Sequence, residues 1–181
     1  MSDARIYMDA CCFIDMAKND AGKLTTATVD DLWHLHRLMD AAKNKDIEIY
    51  TATLTIAECT HINDQKDSQT TVSEETKILF KKMLTSGQVV ILVQDTVLVA
   101  QKARDLLWVD GVNFRGADAI HVASAFEAAC SELITTDNRI SKHKDEMAKK
   151  GLRIIPPRDT MLLPGEYRQT LLMPDHPAPE K

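Results

Sequence analysis

Asp9, Glu58 and Asp137 each follow or closely trail a stretch with the pattern of a β-strand, and Asp118 falls in the first turn of an alanine-rich helix. In an open parallel sheet such positions share one rim. Four carboxylates on one rim repel each other and raise one another's pKa unless a cation neutralises them. Oxygen donors without a supporting His/Cys cluster suit Mg2+ or Mn2+ better than Zn2+. Two such ions held about 4 Å apart activate water and stabilise the leaving oxygen of an in-line phosphodiester cleavage, so no protein nucleophile is needed. The chain carries no Ser-His-Asp or Cys-His signature, which agrees with that chemistry.

Each acid also has a plainer reading. Thr55-x-x-Glu58 is itself a capping box, and Asp118 and Asp137 could be ordinary helix caps, as Asp95 is expected to be. Asp9 resists this more: a strand-end acid before an apolar helix gains little as a cap while losing hydration. Asp118 is placed where backbone N–H groups and the helix dipole favour a carboxylate. His121, three residues later, is read as a hydrogen-bonded packing histidine rather than a ligand.

Stepping outward to what must hold these residues, Arg5 to Met8 is a short apolar run that stops at Asp9, the pattern of a buried strand. Ala10 to Ala17 predicts a short helix closed before Gly22. A longer helix follows, with Val29, Leu32, Leu35, Met39 and Ala42 at spacings of three and four. Ile47 to Thr51 is the second strand, with the helix of Ile56, Ala57 and Glu58 almost directly after it. Asn63 to Thr70 is polar and reads as a loop, and Thr71 to Glu74 resembles a capping box opening a helix that Gly87 ends. Val89 to Val93 is the third strand, with Asp95 capping a helix to about Val109. The helix from Ala117 has almost no side-chain bulk, which lets its backbone press on a sheet. Glu132 to Thr135 and Leu152 to Ile155 are the last strands, separated by the turn at Asp137 and a lysine-rich helix closed by Gly151. Strands alternating with helices predict an α/β fold, a three-layer α/β/α sandwich with a mainly parallel sheet of about five strands.

Composition narrows the class. With 181 residues, 44% of them hydrophobic, one well-buried core is enough. All six prolines fall at or after Pro156, so residues 1–155 are expected as the domain and 156–181 as an extended, proline-rich, partly disordered appendage. Cys11, Cys12, Cys59 and Cys130 have neither zinc spacing nor disulfide-scaffold density and read as buried free thiols. No apolar run approaches the roughly 18 residues of a membrane span, and no signal-peptide profile opens the chain, so a cytoplasmic protein with no membrane partner is expected. A net charge of −5 argues against indiscriminate charge-driven nucleic-acid binding while leaving room for a local basic face.

Arg115-Gly116-Ala117-Asp118-Ala119-Ile120-His121-Val122-Ala123-Ser124-Ala125, followed by Leu133-Ile134-Thr135-Thr136-Asp137, resembles the third and fourth acidic motifs of the PIN-domain nucleases, and of the VapC-like toxins of bacterial toxin–antitoxin systems within them. Tyr7-Met8-Asp9-Ala10 resembles the first motif and Thr55-Ile56-Ala57-Glu58 the second, and the likeness runs from about Ile6 to Ile155. The resemblance implies a PIN-like parallel α/β sandwich whose Asp9, Glu58, Asp118 and Asp137 bind Mg2+ or Mn2+ and cut RNA. It further implies a homodimer and a small antitoxin protein that covers the acidic pocket. Two features depart from the family: Cys11 stands where Ser or Asn is common, and the chain is longer than the compact toxins. A stand-alone RNA-processing PIN nuclease, and a catalytically silent PIN module that binds RNA or a protein, are the alternatives.

Cys11 also stands where a haloacid-dehalogenase-type enzyme would need a second aspartate, and a receiver domain would need a paired acid near Asp9. Substrate contact must come from outside the acids. Arg115 before Asp118, and Arg139 and Lys142 after Asp137, are the candidate RNA-binding residues, with a solvated helix face as the other explanation of the basic run.

Overall fold

The computed structural model describes residues 4–60 and 72–168. The loop expected over Asn63 to Thr70 and the disorder expected beyond Pro174 lie outside the described residues. Five strands, β1 (Arg5–Met8), β2 (Glu48–Ala52), β3 (Val90–Val93), β4 (Glu132–Ile134) and β5 (Arg153–Ile155), form one all-parallel sheet in the order β3-β2-β1-β4-β5. Chain order reverses between β1 and β4, which makes the carboxyl ends of these two strands the crevice of an open α/β sheet.

Strand alternation sorts the core into two layers. Ile6, Met8, Ile49 and Ile134 point to one face, covered by α1 (Ala10–Asp20), α2 (Val29–Lys43) and α4 (Glu74–Phe80). Tyr7, Ala52, Leu133 and Ile154 point to the other, beneath α5 (Val97–Trp108) and α6 (Gly116–Glu127). Short α3 (Leu54–Glu58), α7 (Asn138–Ser141) and α8 (Lys144–Ala148) fill the connections, and α4 runs on into a π-helical turn, Lys81–Thr85. The three-layer α/β sandwich is thus as expected. The small side chains of α6 do what their lack of bulk suggests: Ala119, Val122, Ala123 and Ala125 are all buried against the sheet.

Three expected caps differ. Thr96, not Asp95, caps α5, accepting from the Val99 amide, while Asp95 accepts from the Thr53 hydroxyl. Ser73 caps α4 through the Thr76 amide, so the helix starts two residues past a Thr71 cap. Thr55 lies inside α3 with its hydroxyl 2.7 Å from that of Thr51, so Thr55 and Glu58 form no capping box.

The chain beyond residue 155 is not detached. Pro157 occupies the first position of a 3-10 turn, Pro157–Asp159, where a missing N–H is harmless, and α9 (Gly165–Arg168) follows. Leu163 is 1% exposed within the first core layer, and the Tyr167 hydroxyl donates to Asp46 at 2.6 Å. Residues 156–168 are therefore a strap over the domain, contrary to the extended appendage that the prolines suggest. Among the described residues no helix is long and apolar enough to cross a membrane.

Candidate active site

Register positions the first acid. Met8 pairs with Ile134, so Asp9 and Thr135 emerge side by side, and the Asp9 amide donates to the Ile134 carbonyl at 3.1 Å. Asp9 does cap α1, but only through the Ala10 amide at 2.8 Å. Its second oxygen accepts from the Thr135 hydroxyl at 2.9 Å and the Cys11 thiol at 3.1 Å. Cys11 thus fills its unusual position as a weak donor to the acid it follows. Cys12, Cys59 and Cys130 are buried free thiols as expected, whereas Cys11 is partly exposed.

Glu58 is brought to Asp9 by His121. Its Nε2 lies 2.7 Å from Glu58 Oε2 and 3.4 Å from Asp9 Oδ1. The other ring nitrogen, Nδ1, is 2.8 Å from the Tyr7 hydroxyl, which accepts from the Ala52 amide at 2.8 Å. With its oxygen so engaged, Tyr7 has its proton to give to Nδ1, and the neutral ring then carries its own proton on Nε2, aimed at Glu58. Burial is the largest influence on His121 and pulls its pKa down. The Glu58 hydrogen bond and the charges of Asp9 and Asp118 outweigh it and hold the pKa above its ordinary value. His121 is the hydrogen-bonded, buried histidine that was expected, yet it sits inside the acid cluster rather than beside it.

Arg139 joins the remaining two acids. Its backbone amide donates to Asp137 Oδ1 at 2.7 Å, making Asp137 the cap of α7, and its Nε donates to Asp137 Oδ2 at 2.8 Å. The same guanidinium stands 3.8 Å from Asp118 Oδ1. Burial raises the pKa of Asp137, and the Arg139 contacts override it and leave the group below the usual value. Asp118 goes the other way: burial dominates, the Arg139 charge only partly offsets it, and Asp137 and Asp9 add repulsion, so its pKa is raised. Asp118 does stand in the first turn of α6, as expected, but burial and the neighbouring acids leave its pKa raised there. Asp118 accepts no hydrogen bond among the described residues.

All four acids converge on one rim at the β1–β4 crevice. Of the three basic side chains, Arg139 is exposed along half its surface and is a counter-ion to Asp137 and Asp118. Arg115 is exposed at the cap position of α6, close enough to help lower the pKa of Asp137. Lys142 is exposed at the end of α7 and makes no ion pair among the described residues. The roles of Thr135 and Tyr7 were not legible. Thr135 is signalled only by being a hydroxyl at a strand end just before Asp137, and Tyr7 by being the one hydroxyl in β1.

Among the described residues, no three of His, Cys, Asp and Glu stand in the geometry of a metal site. By type the donors fit a hard divalent cation: four carboxylates, one of them with a raised pKa and no hydrogen bond.

No protein-family model matches the chain, and no curated protein matches it. Among solved structures it is similar to a chain of VapBC2 from Rickettsia felis, bound to a DNA fragment from their promoter. The TM-score is 0.57 at 11% identity, over 84% of this chain and 98% of that one. At that identity the two share a fold, and this chain accordingly has a PIN-like α/β fold.

Proposed function

We propose that this chain is a PIN-fold endoribonuclease that hydrolyses RNA phosphodiester bonds with Mg2+ or Mn2+ held by Asp9, Glu58, Asp118 and Asp137. What supports the reading most is that the four acids share one guanidinium, Arg139, and one histidine, His121, leaving Asp118 under-neutralised. When bound, the divalent ion supplies activation of water and stabilisation of developing oxyanion charge. The chain supplies the rest. Thr135 and the Ala10 amide fix the Asp9 carboxylate, and Tyr7 fixes the ring of His121, which in turn holds Glu58. Arg139 neutralises Asp137 until substrate and ion arrive, and Arg115 and Lys142 meet the RNA backbone.

Within that class we assign the chain to VapC-like toxins, with a homodimer and a small antitoxin as its partners; the fold shared with a protein solved as VapBC2 favours this over a stand-alone processing nuclease. One observation favours a silent binding module instead: Arg139 already satisfies Asp137.

Purified protein incubated with structured RNA in Mg2+, in Mn2+ and in chelator decides between them. Cleavage that needs the metal is expected; binding without cleavage under all three conditions would leave only the silent module. Expression alone should arrest bacterial growth, and harmless expression of cleaving protein would favour RNA processing.

A further inference from the structure

Beside the acids, along the carboxyl ends of β4 and β5, runs a polar groove of about 540 Å3 lined by Thr26, Thr28, Thr136, Asn138, Ser141 and Lys144. Thr135 belongs to both places: it lines this groove and its hydroxyl holds Asp9.

The hydroxyl protons here are already committed. Thr26 and Thr136 donate to Asp15 at 2.9 Å each, Thr28 donates to Asp31 at 2.7 Å, and Ser141 to the Asp137 carbonyl at 3.0 Å. A hydroxyl has one proton and two lone pairs, so each of these groups has only acceptor capacity left to offer a ligand. With the Asn138 amide as the one neutral side-chain donor, a lining of hydroxyl acceptors suits a ligand that brings its own donors better than a bare anion. Cationic help is sparse: Arg158 is neutralised by Asp31 at 2.8 Å, while Lys144 is exposed and makes no ion pair among the described residues. One cation beside several acceptors matches one phosphate attached to a unit rich in hydroxyl and amino donors. The volume falls in the range that encloses a small ligand, about 300–1,000 Å3, and so suits one splayed nucleotide rather than a duplex.

We infer that this groove is a ribonucleotide subsite, in which Thr26, Thr28, Thr136 and Ser141 accept from the ribose 2′-hydroxyl and base amino groups of a residue flanking the scissile phosphate, and Lys144 meets its phosphate. The inference rests on the nuclease reading and deepens it. It makes this rim a discriminator of RNA from DNA, because the 2′-hydroxyl is the donor that DNA lacks.

The test is fluorescence anisotropy in chelator with a short fluorescein-labelled single-stranded RNA of mixed sequence and DNA of the same sequence. Thr26→Ala with Ser141→Ala should weaken RNA binding by about tenfold, from two lost hydrogen bonds, and DNA binding by only about threefold, because the 2′-hydroxyl has one proton to give and the bond from a base amino group is common to both. Lys144→Ala should weaken both alike. If the double variant melts early, Ser141→Ala alone should still cost RNA about threefold. Equal loss for RNA and DNA, no loss, or a wild-type protein that binds neither would overturn the subsite. Cleavage is read separately in Mn2+. A protein that cleaves while the groove variants keep wild-type binding loses only the subsite. One that never cleaves yet prefers RNA through these residues keeps the subsite and loses the nuclease.

Discussion

Asp15, Asp31 and Glu132 are 2%, 3% and 1% exposed, and Asp9 and Asp118 are 4% and 6%, so burial does not separate the two sets. Their partners do. Asp15 accepts from the Thr26 amide and from two threonine hydroxyls. Asp31 takes Thr28 and Arg158, and Glu132 takes Arg153, Thr160 and the Met161 amide. Each of these three acids has its own donors. At the β1–β4 crevice Asp9 has donors of its own as well, but His121 and Arg139 each stand between two acids, and Asp118 accepts no hydrogen bond among the described residues. A buried acid that is fully bonded holds the fold together; a cluster that must share its positive charge is waiting for more of it.

The largest expected effect is at the acid with the least compensation. Asp118→Asn should lower metal-dependent RNA cleavage by on the order of 10²- to 10³-fold, the scale for removing one stabiliser of transition-state charge. The same change should leave the chelator-treated protein no less stable. The sign follows from linkage: the raised pKa of Asp118 means the folded state binds its proton more tightly than the unfolded one. That contribution is present below the ordinary carboxylate pKa and lost as pH rises through the folded value, so ionised Asp118 works against folding at neutral pH. Thermal melts that place Asp118→Asn well below wild type would make Asp118 a structural acid.

Glu132→Ala should show the reverse. Losing its three donors should reduce stability by about 1–3 kcal/mol in urea titrations, while cleavage below the melting range stays near wild type. A variant of unchanged stability would erase the distinction between the two sets.

Arg139→Gln sharpens the contrast further. If Arg139 stands in for the missing charge, removing it should tighten Mn2+ binding by about tenfold, or 1.4 kcal/mol, in calorimetry. Unaltered or weaker binding would mean that the guanidinium does not compete with the ion.

The smallest expected effect concerns His121. Its folded pKa is raised, so its contribution to stability is complete below its ordinary pKa and fades as pH climbs through the folded value. Melting temperature in chelator should therefore fall as pH rises above the ordinary imidazole pKa, and His121→Gln should flatten that slope. A parallel slope in the variant would assign the pH dependence elsewhere.

The elements were readable because continuous apolar runs and helical spacings are local: β1 and β3 lie where the runs are, and α6 where the alanines are. The four acids stood out as candidates from their places after those elements. What neutralises them was not, since Glu58 and His121 meet across 63 residues of sequence. The first-turn place of Asp118 was readable, but its desolvation, a property of the packed fold that raises its pKa, was not. The prolines after residue 155 misled in a similar way, because a proline in the first turn of a short helix breaks nothing.

The bond from Thr135 to Asp9 closes a gap of 126 residues. During synthesis, at about 5–20 residues per second, Asp9 leaves the ribosome on the order of 10 s before the strand that positions it. Through that interval the chain holds acids but no assembled crevice. Whatever activity this rim has therefore begins only after most of the polypeptide is made, a built-in delay for a protein whose proposed substrate is RNA.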